Sequence, residues 1–255
     1  MIRLHVESDV EIVAYPSAPA SAGITVVLLH GIGMSHLTWA ELQPLLADSA
    51  RVISFDMPGF GTARTPDRPF GVVDFADAVD AALTMLGVRS CVVVGHSMGA
   101  QFAVELAARS PGLVAGLVLV GPVVVATRRT VRAQALSLAL DSLREPPRVN
   151  GRVLTDYLKG GVGWYLSTLG PMLDYPIEQR IRDTACPVVV MRGERDSVAP
   201  LSWCELLASN APAWSAVVSV PGKAHVIPLT APIAVAEAVG TVVGRSRQHG
   251  EAQRS

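Results

Sequence analysis

Lysine is almost missing from this chain. Of the 21 basic side chains in 255 residues only Lys159 and Lys223 are lysines, and 22 acidic residues bring the net charge to −1. We read the lysine shortage as compositional bias. A near-neutral chain without a basic field excludes the electrostatic footprint of a nucleic-acid binder or an anionic-membrane binder. Cysteine is scarce as well. Cys91, Cys186 and Cys204 are odd in number, far apart and without CxxC spacing, so no disulfide framework is expected and a reducing, cytoplasmic compartment is. The N-terminal run MIRLHVESDVEIVAY lacks the charged-then-apolar order of a signal peptide, and no apolar run reaches the ~20 residues of a membrane span. Aromatics make up 5% of the chain and charged residues 17%, against 50% hydrophobic residues, which excludes a disordered protein.

What the chain has in plenty is strand–helix alternation. Residues 2–6 and 10–15 alternate like a hairpin. Apolar runs follow at Ile24–Leu29, Val52–Phe55, Cys91–Val94, Leu117–Val120, Val188–Met191 and Ala216–Val220. Continuous Val/Leu/Ile runs are expected of strands buried on both faces of a parallel sheet. Amphipathic stretches at Leu37–Leu46, Val73–Leu86, Met98–Ala108, Leu201–Ala208 and Ile233–Val243 lie between or after them. The pattern predicts an α/β protein with a doubly wound, mostly parallel, eight-stranded sheet.

One segment breaks the rhythm. Between Gly121 and Val188 lie helical patterns at Val131–Leu143 and Leu154–Leu158, interrupted by prolines and glycines. This stretch holds Tyr157, Trp164, Tyr165 and Met172 in an otherwise aromatic-poor chain. Residues 1–122 and 184–244 are therefore expected to form the core, 123–183 a helical lid, and 245–255 a disordered polar tail.

The sharpest motif is Gly95-His96-Ser97-Met98-Gly99, a G-x-S-x-G lying directly between a strand and a helical pattern. A nucleophile raised on so sharp a turn leaves no room for a Cβ two residues to either side, hence Gly95 and Gly99. A plain helix N-cap serine is the bland alternative. Small residues at His30-Gly31-Ile32-Gly33, just past a strand, allow the Ile32 N–H to meet the Met98 N–H as an oxyanion hole. His30 itself is expected to be structural. Past the strand Val188–Met191 come Glu194 and Asp196, with Asp196 favoured as the orienting acid and Glu194 as the alternative. His225 follows the last strand. Among the six histidines it is the one placed to reach Ser97.

The order Ser97, Asp196, His225 resembles that of the α/β-hydrolase superfamily, as do Trp39 and the turn Asp56-Met57-Pro58-Gly59-Phe60-Gly61. Gly61-Thr62-Ala63 departs from the G-x-S with which the family usually continues that turn. The resemblance covers about Ile2 to Val243. It implies a serine esterase in which His225 activates Ser97, Asp196 orients His225, and a neutral small-molecule ester or lactone is cleaved without metal or cofactor. Met34, Tyr157, Trp164, Tyr165 and Met172 are expected to line the substrate pocket. Monomer and homodimer both stay open, as do C–C bond hydrolysis, acyl transfer, perhydrolysis and a weakly catalytic ligand sensor on the same triad.

Overall fold

A computed structural model describes residues 1–17, 23–151, 155 and 162–252. Eight strands form one sheet: β1 (Ile2–His5), β2 (Glu11–Pro16), β3 (Thr25–Leu29), β4 (Arg51–Asp56), β5 (Cys91–His96), β6 (Val114–Val120), β7 (Val188–Gly193) and β8 (Ser215–Val220). Their order is β1-β2-β4-β3-β5-β6-β7-β8. The first two pairings are antiparallel and the remaining five parallel.

The side-chain period of two explains why the strands read as unbroken apolar runs. Val27, Leu29, Val93, Leu117 and Val190 face one core, while Val26, Leu28, Val92, Val118 and Val189 face the other. The first core packs under α2 (Val72–Met85) and α3 (Met98–Arg109). The second packs under α1 (Leu42–Ala47) and the C-terminal helix. Each fully buried Val or Leu contributes roughly 1.5–3 kcal/mol, so two-sided burial makes these strands the stable frame of the fold. The three cysteines belong to this frame as small apolar groups; all are free and buried, and burial pushes each thiol up to about 12.

After β3 the chain moves to β4 on one side and then to β5 on the other. The loops leaving β3 and β5 diverge at that switch, opening the crevice in which α/β sheets hold ligands. The residues between β6 and β7 form α4 (Val131–Ser142), α5 (Val162–Asp174) and short one-turn helices. Thr130 caps α4 by accepting the Ala133 N–H at 3.2 Å. Apart from Thr155, the expected helix at Leu154–Leu158 lies outside the described residues, as do Arg152, Tyr157 and Lys159.

Two expectations are corrected here. Leu37–Leu46 is not one helix but a 3-10 turn, His36–Trp39, followed by α1. The described part of the C-terminal tail, residues 245–252, is helical rather than disordered: α6 is Leu201–Asn210, and α7 runs from Pro232 to Ala252. Polar composition misled because the contacts are tertiary. Ser246 Oγ donates to Ala115 O at 2.6 Å, and the Arg245 guanidinium sits 4.5 Å from the Trp214 ring centroid. Among the described residues no helix is long and apolar enough to cross a membrane.

Candidate active site

Ser97 stands between β5 and α3 with φ 55° and ψ −119°, the one non-glycine residue at positive φ among those described. Such backbone costs of order 1–3 kcal/mol and persists only where surrounding structure enforces it. Here the enforcement is steric. A Cβ at Gly95 would overlap the Gly99 carbonyl, and one at Gly99 would overlap the Leu29 carbonyl. Although Ser97 occupies the N-cap position of α3, its side chain makes no capping hydrogen bond. The bland alternative therefore fails, and the hydroxyl is left for other use.

The β3 loop closes on the same point. A Cβ on Gly31 would come within 2.9 Å of Ser97 Cβ, so Ile32 is carried up against the serine. Met98 opens α3, and its N–H has no carbonyl one turn back to bond. His30 is structural, as expected. Its Nδ1 is 2.8 Å from Gly31 O and therefore donates, while its Nε2 accepts the Met57 N–H at 3.1 Å. That bond fixes the turn after β4, where Asp56 accepts the Thr62 N–H at 2.8 Å and the Thr62 hydroxyl at 3.0 Å. The departure at Gly61-Thr62-Ala63 is thus local, with Thr62 supplying a hydroxyl to Asp56.

Asp196 and His225 meet across the ends of β7 and β8, with His225 Nδ1 2.9 Å from Asp196 Oδ2. The other carboxylate oxygen, Oδ1, accepts the N–H groups of Val198 and Ala199 at 2.8 and 2.9 Å. The buried Arg192 guanidinium holds the loop from below, donating to Ala199 O at 2.8 Å and Glu194 O at 3.0 Å. Burial alone pushes Asp196 up, but the imidazole and these N–H donors outweigh it and hold the carboxyl below its ordinary value. Glu194 instead accepts the Gly222 N–H at 2.8 Å, which shapes the β8 loop and leaves His225 alone. His96 donates from Nε2 to His225 O at 3.1 Å and is held neutral, its pKa pulled down to about 3 by burial and the facing imidazole.

The family described as alpha/beta hydrolase fold matches residues 24–140. An enol-lactonase from Burkholderia xenovorans LB400 superposes with a TM-score of 0.82, covering 95% of this chain and 100% of that one at 19% identity. The chain has the α/β-hydrolase fold. A putative carbamate hydrolase, RutD, of a Caulobacter species is 28% identical over 87% of this chain and 91% of that protein. An uncharacterised protein of Mycobacterium tuberculosis is 34% identical over 40% of this chain and 30% of its own length. The chain thus spans under a third of the length of that relative.

Within this fold a cavity of about 180 Å³ lies at Ser97 and His225, walled by Ile32, Met34, Val123, Leu138, Met172, Val198 and Val226. A wider cleft of about 380 Å³ near Glu41, Arg148 and Pro232 holds none of the candidate residues. Met34 and Met172, expected in the substrate pocket, line this cavity. Trp164 and Tyr165 do not. Trp164 is buried beside Phe70, Phe60 and Phe75, with ring centroids 5.9, 6.4 and 6.5 Å away, and a Cβ on Gly59 would overlap its indole. Tyr165 is half-buried against the same core. Trp164 and Tyr165 anchor the insertion to the sheet domain, helped by Arg180 pairing with Glu105 of α3 at 2.9 Å and by Gln101 Nε2 donating to Met172 O at 2.9 Å. Trp164→Ala should therefore cost about 3–5 kcal/mol of stability, read as a lowered urea midpoint, rather than change substrate choice. A stable variant with altered acyl preference would contradict this placement.

The sequence reading missed two cavity residues of chemical weight. Asp141, at the end of α4, accepts the His225 N–H at 3.1 Å through Oδ2, and Glu145, just beyond, accepts the Val226 N–H at 2.6 Å through Oε1. Burial raises the pKa of both carboxyls. Their spacing of four residues was the available signal, but two acids at that spacing do not reveal in sequence that they face buried backbone amides. Burial pulls His225 down, yet Asp196 first, then Asp141 and Glu145, more than reverse it, so the imidazole titrates above its usual value.

Proposed function

We propose that this protein is a serine hydrolase that cleaves a small, neutral, fairly apolar ester or lactone through an acyl-enzyme on Ser97. The observation that carries the reading is the uncapped Ser97 hydroxyl, held on a strained elbow in the same cavity as His225, whose Nδ1 is fixed by Asp196. His225 Nε2 is buried and has no hydrogen-bond partner among the described residues, so it is open to accept a proton from a group entering the cavity.

In this reading His225 Nε2 takes the Ser97 proton as Oγ bonds to the carbonyl carbon and the carbonyl electron pair moves onto oxygen. The Ile32 and Met98 amides receive that oxyanion; losing one such donor typically costs ~10²–10³ in kcat. Collapse of the intermediate expels the alkoxide, which takes the proton from His225. Water then attacks the acyl carbon, gives a proton to His225, and Ser97 departs with it. A serine at the elbow disfavours the aspartate-nucleophile chemistry of dehalogenases on this fold. The apolar walls and the cavity of about 180 Å³ favour short acyl groups, and discrimination between neighbouring lengths should be shallow because one methylene is worth only ~1–3 kcal/mol.

The test is stoichiometric labelling by a small alkyl fluorophosphonate together with turnover of p-nitrophenyl acetate and butyrate. The expected result is one adduct, on the peptide containing Ser97, and loss of turnover in step with labelling. A protein that binds esters without labelling or turnover would be a sensor, and the hydrolase reading would fall.

A further inference from the structure

Besides His225 Nε2, which the proposed mechanism uses, and His96 Nδ1, the residues lining the cavity include a buried carboxylate oxygen without a partner. Asp141 commits both oxygens to backbone donors, Oδ2 to the His225 N–H and Oδ1 to the Ser197 N–H at 3.4 Å. Glu145 commits only Oε1. Its Oε2 is buried and has no hydrogen-bond partner among the described residues, in a residue with 7% of its surface exposed that forms part of the cavity wall. A buried carboxylate oxygen without a donor costs of order 1–3 kcal/mol or more, so a group that supplies one is favoured there. Among the described lining residues none is lysine or arginine, and the two carboxylates oppose an anionic substrate.

We propose that Glu145 is a specificity-determining residue whose Oε2 accepts a hydrogen bond from a hydroxyl or ammonium group on the substrate, away from the scissile carbonyl. The inference rests on the hydrolase reading above and narrows it. The substrate is a small ester or lactone that is apolar over most of its surface and carries one donor. Oε1 is pinned by the Val226 N–H, so the carboxylate cannot rotate away without stripping the His225 loop of a bond. The same pinning makes Glu145→Gln informative. The amide oxygen keeps the Val226 N–H, and the amide nitrogen then stands where Oε2 stood, turning an acceptor into a donor.

The experiment uses p-nitrophenyl butyrate bearing a hydroxyl, an ammonium or a methoxy group at C3, with butyrate esters of ethylene glycol and of its monomethyl ether as the alcohol-side pair. The measure is the ratio of kcat/KM for each donor ester to its methoxy partner, so any general change in rate cancels. The full-length protein should favour the donor ester in at least one arm by about tenfold, the size of one charge-assisted hydrogen bond. In Glu145→Gln that ratio should fall to one or invert. A preference confined to the ammonium ester identifies a cationic substrate, and one shared by the hydroxyl ester a neutral one; both support the inference. Binding of the same esters to Ser97→Ala, measured by calorimetry, decides the matter where turnover is absent. Ratios near one in all arms, in kinetics or in binding, or a ratio unchanged by Glu145→Gln, would overturn it. Failure of every ester to turn over, with the binding preference intact, would instead sink the hydrolase reading alone.

Discussion

Ser97→Ala should lose essentially all ester hydrolysis, a fall in kcat of the order of 10⁶ where a serine nucleophile carries the chemistry. The same variant should unfold within about 0.5 kcal/mol of the wild type, as a substitution away from packing and caps does. Both halves follow from one geometry. The Ser97 side chain caps nothing in α3, and alanine keeps the Cβ that already stands against the Gly31 loop. Alanine also inherits the backbone strain at φ 55° unchanged, because that strain depends on the presence of a Cβ and not on the hydroxyl. What disappears is a nucleophile alone. Denaturant melts and p-nitrophenyl butyrate kinetics on the two proteins check it; activity within tenfold of wild type would refute the assignment of Ser97.

The ease with which that serine is found in the sequence has a physical source. An elbow is a local device, specified by Gly95, Gly99, a preceding apolar strand and a following helix, and local devices are written in adjacent letters. The strands were legible for the same reason: two-sided burial forces continuous Val/Leu runs, as in Cys91–Val94. Trp164, Asp141 and Glu145 were misread or missed because their roles are set by partners far along the chain. Trp164 meets Phe70 and Phe75, Asp141 meets His225, and Glu145 meets Val226. An aromatic in an insertion looks the same in sequence whether it faces a ligand or a core, and a pair of acids looks the same whether it faces water or two backbone amides. The tail failed likewise, since Ser246 finds its partner at Ala115.

Asp196→Asn should lower kcat by up to about 10⁴, and the hydrogen-bond pattern says why an amide cannot substitute. Oδ1 is held as an acceptor by the Val198 and Ala199 N–H groups. In the asparagine variant only the amide oxygen fits there, so the NH₂ is turned toward His225 Nδ1. A donor facing Nδ1 forces the imidazole proton onto Nε2, where it blocks acceptance of the Ser97 proton. The pH profile should move in a second, independent way. His225 must be neutral to act as a base, so activity falls as pH drops through its pKa. With Asp196 ionised that pKa lies above the ordinary imidazole value, and the acid limb of kcat/KM in the wild type should lie above about pH 6.5. Removing the Asp196 charge withdraws the largest contribution that holds the proton on, so the limb should shift to lower pH even as the plateau collapses. Asp141 and Glu145 still face the ring, which limits the shift. Glu194→Gln should do neither, because Glu194 is bonded to the Gly222 N–H and not to the ring. The deciding measurement is kcat/KM against pH for wild type, Asp196→Asn and Glu194→Gln; a limb that stays put in Asp196→Asn, or a larger loss in Glu194→Gln, would assign the orienting carboxylate elsewhere.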